Sequence, residues 1–230
     1  MTPLVLLPGM MCDARLWFEQ IAAFSGTRDV QTAPMHAANI SDIAAAILAD
    51  APPVFALAGL SMGGIVAMEI LRQAPARIER IALLDTNPLP EQPDVAARRE
   101  PQIVKVRQGG LVDVMRDEMK PHYLSDNSKR SEILDLCMDM AQTLGPEVFV
   151  AQSRALQTRP NQVDTLKASR IPTLILCGRD DRLCPIERHQ LMYDLMPHAE
   201  FTIVDDAGHL PTLEQPTETT SALARWLEAS

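Results

Sequence analysis

Val54-Phe55-Ala56-Leu57-Ala58-Gly59-Leu60-Ser61-Met62-Gly63-Gly64-Ile65-Val66-Ala67 is the stretch on which the fold turns. It opens as a run that is apolar at nearly every position, the pattern of a strand buried on both faces rather than one. It then passes through Gly-x-Ser-x-Gly and continues as an amphipathic helix. Side chains at positions 59 and 63 would collide with neighbouring backbone, and glycine at both removes the collision. A turn of this kind holds its serine in a strained conformation with the hydroxyl projecting above the sheet. The helix that begins near Gly63 directs free amides toward any negative charge developing there.

Short apolar runs recur on either side and alternate with segments of helical period, which is the signature of a parallel sheet covered by helices on both faces. Residues 4–7, 30–32, 54–59, 80–84, 172–177 and 200–204 read as six strands. Residues 17–24, 40–50, 65–73, 186–196 and 217–228 read as helices, with Ser41 and Thr217 suited to cap two of them. The rhythm fails over residues 87–168, where helical segments at 95–107, 111–119, 131–143 and 147–157 follow one another. The expected organisation is therefore a core of residues 1–86 and 169–230, interrupted by a helical insertion of residues 87–168. Ligands of such sheets sit beyond the carboxyl ends of the strands, so the chemistry is expected in strand-to-helix turns.

With 230 residues, 47% of them hydrophobic, the chain can fill one sizeable core. A net charge of -9 with scattered Lys and Arg argues against nucleic-acid partners. The opening Met1-Thr2-Pro3-Leu4 lacks the basic region of a secretory signal, and no apolar run approaches the roughly 20 residues of a membrane helix. A soluble, cytoplasmic protein is expected. Cys12, Cys137, Cys177 and Cys184 form no CxxC pair and read as buried reduced thiols, with neither a metal site nor a redox dithiol.

A serine hydroxyl becomes nucleophilic when a neutral imidazole takes its proton, and the imidazole needs a carboxylate to orient it and to stabilise its charged form. The strand at 172–177 runs into Gly178-Arg179-Asp180-Asp181, and the last strand into Asp205-Asp206-Ala207-Gly208-His209. His209 thus falls at a strand's carboxyl end, whereas His36, His122, His189 and His198 lie in helices or connections and read as surface or packing residues. Asp180, Asp181 and, after the fourth strand, Asp85 all compete for the acid position. The first strand ends in Leu7-Pro8-Gly9-Met10-Met11, where Gly9 is expected to allow a tight turn. The backbone amides of Met10 and Met62 would then form an oxyanion hole.

These residues resemble the α/β-hydrolase superfamily, particularly its small bacterial esterases and enol-lactonase-like members. The resemblance rests on Gly59-Leu60-Ser61-Met62-Gly63-Gly64, on Gly178-Arg179-Asp180-Asp181 with Pro185, and on Gly208-His209 followed by Glu214 and Pro216. It implies a three-layer α/β-hydrolase fold with a mostly or wholly parallel sheet of about six strands, and a cap over residues 87–168. The family's acid lies three residues after the glycine, which selects Asp181. Two features depart from the family: Pro8-Gly9 stands where relatives commonly have His-Gly, and the antiparallel hairpin that opens larger members is not expected. The implied activity is hydrolysis of a small carboxylic ester, thioester or lactone through an acyl-enzyme, with Ser61, Asp181 and His209 as triad and no metal or organic cofactor. An acyltransferase or cofactor-free lyase using the same triad is the alternative, followed by a non-catalytic ligand-binding member. The expected partner is a small-molecule substrate, and the expected assembly a monomer or homodimer.

Overall fold

Six parallel strands form one open sheet in the computed structural model, which describes residues 1–126 and 128–229. They are β1 (Leu4–Leu7), β2 (Val30–Thr32), β3 (Phe55–Leu60), β4 (Ile78–Leu84), β5 (Thr173–Gly178) and β6 (Glu200–Val204), in spatial order β2-β1-β3-β4-β5-β6. All six expected strands are present. β3 starts at Phe55 rather than Val54, which is exposed.

Burial follows position in the sheet. β1, β3 and β5 are buried at every residue, whereas the edge strands β2 and β6 are mostly half-buried. Because alternate side chains point to opposite faces, the central strands feed two separate cores. Val5, Leu7, Phe55, Leu57, Ile81, Leu83 and Ile175 pack on one face with α2 (Ile40–Asp50), α3 (Met62–Gln73) and α8 (Ile186–Leu195). Leu4, Leu6, Ala56, Ala58, Leu84, Leu174 and Leu176 pack on the other with α1 (Phe18–Phe24) and α10 (Pro216–Glu228). Each large side chain so buried contributes roughly 1.5–3 kcal/mol.

The helix ends correct two expectations. The cap of α2 is Asn39, whose side-chain oxygen accepts from the Asp42 amide at 2.7 Å; Ser41 lies inside the helix and donates to Glu69 at 2.7 Å instead. Thr217 caps nothing, because α10 already begins at Pro216, whose missing N–H costs nothing in a helix's first turn.

Between β4 and β5 the described residues are helical or irregular. α4 (Pro93–Arg107) and α5 (Leu111–Val114) lead into a π-helical turn at Met115–Met119, followed by α6 (Arg130–Gln157) and α7 (Val163–Ala168). α6 is broken at Gly145 (φ 81°, ψ 177°), in the gap between the two segments expected there. α7 and the short α9 (Pro211–Glu214) are too brief to leave a periodic signal. No helix among the described residues is long and apolar enough to cross a membrane.

The chain leaves β1 toward β2 on one side and returns to β3 on the other. The loops following β1 and β3 therefore diverge and open a crevice at the carboxyl edge of the sheet.

Candidate active site

Ser61 sits at the top of β3 with φ 56° and ψ -115°, a region that costs a non-glycine residue of order 1–3 kcal/mol. The surroundings hold it there. Its amide donates to Leu84 O at 2.9 Å, and its carbonyl accepts from Thr86 Oγ1 at 2.8 Å and from the Gly64 amide at 3.0 Å. The glycine requirement is steric: a Cβ on Gly59 would lie 2.2 Å from Gly63 O, and one on Gly63 would lie 2.2 Å from Leu7 O. The strand, the helix and the β1 loop can meet this closely only without those side chains.

Ser61, His209 and Asp181 come together from three different turns. Ser61 Oγ lies 2.9 Å from His209 Nε2, and His209 Nδ1 lies 2.8 Å from Asp181 Oδ2. With the imidazole neutral, Nδ1–H donates to Asp181 and Nε2 accepts from Ser61. Asp181 Oδ1 accepts from the amides of Leu183 (2.8 Å) and Cys184 (3.0 Å), so the carboxylate cannot rotate away. Burial works to raise the Asp181 pKa, but the charge and hydrogen bond of His209 and these two amides outweigh it and hold the carboxyl below its ordinary range. Asp180, one residue earlier, is exposed.

Asp85, the third candidate acid, is fully buried behind the site and does not reach the imidazole among the contacts of the described residues. Its Oδ1 accepts from the Gly178 amide at 2.9 Å, while Oδ2 has no partner when the group is ionised. Burial and then the charge of Asp181 push its pKa well above the carboxylate range. Burial and the neighbouring Asp181 charge thus favour the protonated form of Asp85.

The loop after β1 adjoins the serine, and Met10 and Met62 line the same cavity as Ser61 and His209. Its turn is made differently from expectation. The left-handed residue is Met11 (φ 56°) rather than Gly9, and a Cβ on Gly9 would meet Ser61 Cβ at an ordinary 3.5 Å.

Several supporting residues carry no local sequence signal. Gln152, buried on α6, accepts from the Met11 amide at 2.8 Å and donates to Met35 O at 3.0 Å, tying residues 87–168 to the β1 loop. Glu214, quoted above only as part of a motif, accepts from the amides of Gly208 (2.8 Å), Leu210 (3.2 Å) and Ser125 (2.8 Å) and thereby fixes the turn bearing His209. Tyr123 O accepts from the His209 amide at 2.7 Å. His189, expected to be a surface or packing residue, is fully buried, and its Nε2 accepts from the Thr86 amide at 3.1 Å. His36, His122 and His198 are exposed.

Asp181, Cys184 and His209 bring ligand-type atoms within 4.8 Å of one another. Their donor set is already engaged: both ring nitrogens of His209 are hydrogen-bonded, and burial together with the charge of Asp181 keeps the Cys184 thiol protonated.

Comparison with known proteins places the fold. The chain is 24% identical over 233 residues to a pimeloyl-[acyl-carrier protein] methyl ester esterase of Klebsiella pneumoniae, covering 93% of this chain and 88% of that one. The corresponding enzyme of Aromatoleum aromaticum is 25% identical over 185 residues, covering 75% and 74%. Among solved structures, a thermophilic esterase from Thermogutta terrifontis with malate bound superposes with a TM-score of 0.90 at 28% identity, covering 99% of this chain and 90% of that one. The enol-lactonase from Burkholderia xenovorans LB400 has the same fold, with a TM-score of 0.86 at 21% identity over 99% and 92%. The model of the alpha/beta hydrolase family matches residues 4–223, and the chain belongs to that family.

Proposed function

We propose that the chain is a serine hydrolase that cleaves a small carboxylic ester, thioester or lactone through an acyl-enzyme intermediate. The observation that carries this reading is the continuous relay from Ser61 Oγ through His209 to Asp181, at 2.9 and 2.8 Å, mounted on a strained turn. Esterase and methyl ester esterase activities in the related proteins support it.

Ser61 Oγ attacks the substrate carbonyl as His209 Nε2 takes its proton, and Asp181 stabilises the imidazolium through Nδ1. The tetrahedral oxyanion lies against the backbone amides of Met10 and Met62, each such donor being worth about 3 kcal/mol. His209 returns the proton to the leaving alcohol or thiol. Water, activated by the same imidazole, then releases the acid and restores Ser61. Residues 87–168 act as the cap: Tyr123, Leu156 and Arg159 from that segment line the cavity beside Ser61 and shape what enters it.

The test is labelling with a fluorophosphonate, mass spectrometry of the adduct, and turnover of p-nitrophenyl acetate and butyrate by the parent protein and Ser61→Ala. Expected are an adduct on Ser61 and a loss of turnover in the variant of roughly 10³-fold or more. Undiminished turnover in Ser61→Ala overturns the assignment. An adduct without ester turnover favours acyl transfer or a lyase, and no adduct favours a ligand-binding role.

A further inference from the structure

The cavity beside Ser61 and His209, about 260 Å³, has an uneven charge balance. Three guanidinium groups line it, those of Arg99, Arg159 and Arg188, against the single carboxylate of Glu91. In a chain whose net charge is -9, this is a local reversal of sign.

Two of these three arginines already spend donors on protein acceptors. Arg99 is held by Glu91 through Nε (2.5 Å) and Nη2 (2.9 Å), and its Nη1 touches Met10 Sδ at 3.6 Å. Arg159 gives Nε to Leu89 O at 3.0 Å and places Nη1 3.5 Å from Glu91 Oε1. Glu91 is therefore shared by two arginines, and its side chain is 2% exposed. Arg159 Nη2 has no acceptor among the described residues. Arg188, half-buried at the start of α8, has no ion-pair partner among them either. Burial pushes the Arg159 pKa down, more than the charge of Glu91 pulls it back, and the like charges of Arg99 and Arg188 add a smaller push in the same direction as burial. A buried guanidinium next to an unneutralised one is costly unless an anion arrives to complete the set.

We propose that the cavity binds a substrate carrying a free carboxylate in addition to its scissile carbonyl, such as the monoester of a short dicarboxylic acid, with Arg188 and Arg159 receiving that carboxylate. This rests on the hydrolase reading for its reaction and on the arginine cluster for its specificity. The planar fork of each guanidinium matches a carboxylate's two oxygens, and the low-dielectric wall strengthens the contact. Glu91 fixes Arg99 and Arg159 in place, while Arg188 is left for the ligand.

The experiment compares monomethyl glutarate with methyl pentanoate, equal in chain length and differing by the carboxylate. It uses the parent protein, Arg188→Ala, and Arg182→Ala, an exposed arginine of the preceding loop that does not line the cavity. The parent is expected to favour monomethyl glutarate in kcat/KM, and Arg188→Ala to reduce that preference by roughly 10- to 100-fold through KM, as loss of a charge-assisted pair does. Arg182→Ala should leave the preference unchanged. Calorimetric titration with glutarate reads the same site without catalysis, and Arg188→Ala should weaken its binding by a similar factor. Equal preference and equal glutarate affinity in parent and Arg188→Ala overturn the proposal while leaving the hydrolase reading intact. Glutarate binding that depends on Arg188, in a protein that cleaves neither ester, upholds the anion site and overturns the hydrolase reading instead. Tighter binding of inorganic phosphate than of glutarate overturns the assignment to carboxylates.

Discussion

His189 ties the stability of the site to pH, and the size of the effect can be worked out. Its imidazole is fully buried beneath the Ser61 turn and accepts from the Thr86 amide at 3.1 Å, while Thr86 Oγ1 in turn donates to Ser61 O at 2.8 Å. An accepting Nε2 must carry no proton, so the native state requires the neutral ring. Burial depresses the pKa to about 4 from an ordinary 6.5. Between these two values the unfolded chain binds a proton that the folded chain refuses, so stability rises with pH there and is lost on acidification from about 6.5 toward 4. At pH 4.5 the loss amounts to roughly 2–3 kcal/mol. His189→Gln offers an amide oxygen to Thr86 and cannot titrate. Urea unfolding of both proteins at pH 7.5 and 4.5 isolates the term, since every other titrating group is common to the two. The parent should lose roughly 2–3 kcal/mol more than the variant on acidification. Parallel losses would refute the reasoning.

Three other perturbations test the remaining geometry. Asp181→Asn should lower kcat by roughly 10³- to 10⁴-fold by disturbing the imidazole's orientation and charge stabilisation, and Asp180→Asn, an exposed change, by no more than about twofold; steady-state kinetics with p-nitrophenyl butyrate decide it, and the reverse ranking would exchange their roles. Gly63→Ala drives a Cβ to 2.2 Å from Leu7 O and 2.6 Å from Pro8 O, which cannot yield without moving β1. A cost of about 3 kcal/mol is expected, a Tm drop of roughly 6–12 °C by calorimetry, whereas Gly26→Ala, with open space around it, serves as the control. Gln152→Leu strips the Met11 amide and Met35 O of their partner and should cost about 3 kcal/mol in urea unfolding; an unchanged midpoint would mean that these groups find other partners.

The sequence exposed what is local or periodic. β1, β2 and β6 fall where apolar runs mark them, and α2 spans the residues its period indicates. Gly59-x-Ser61-x-Gly63 was legible because the constraint lies in the motif itself: no other residue tolerates contacts of 2.2 Å with backbone. The break in α6 was legible too, since Gly145-Pro146 disfavours an uninterrupted helix. Caps were read less well. Ser41 and Asn39 are both competent cap residues, and the choice depends on which backbone angle the preceding loop imposes.

By itself, then, the sequence determined a six-stranded parallel sheet, the strand-turn-helix at Ser61, and the position of His209 at a strand's end, since alternation, period and turn chemistry are properties of neighbouring residues. Tertiary structure decided the rest. Asp180 and Asp181 are adjacent and chemically identical, and only the path of the turn directs one toward His209 and the other to solvent. Asp85, His189, Gln152 and the arginines of the cavity lie 24 to 128 residues from Ser61, and no local pattern records such distances along the chain. Their meeting follows from the order β2-β1-β3-β4-β5-β6, which brings the ends of β1, β3, β4 and β5 to one edge of the sheet, where Tyr123, Leu156 and Arg159 also line the cavity. Burial there fixes which acid holds its proton and which histidine stays neutral.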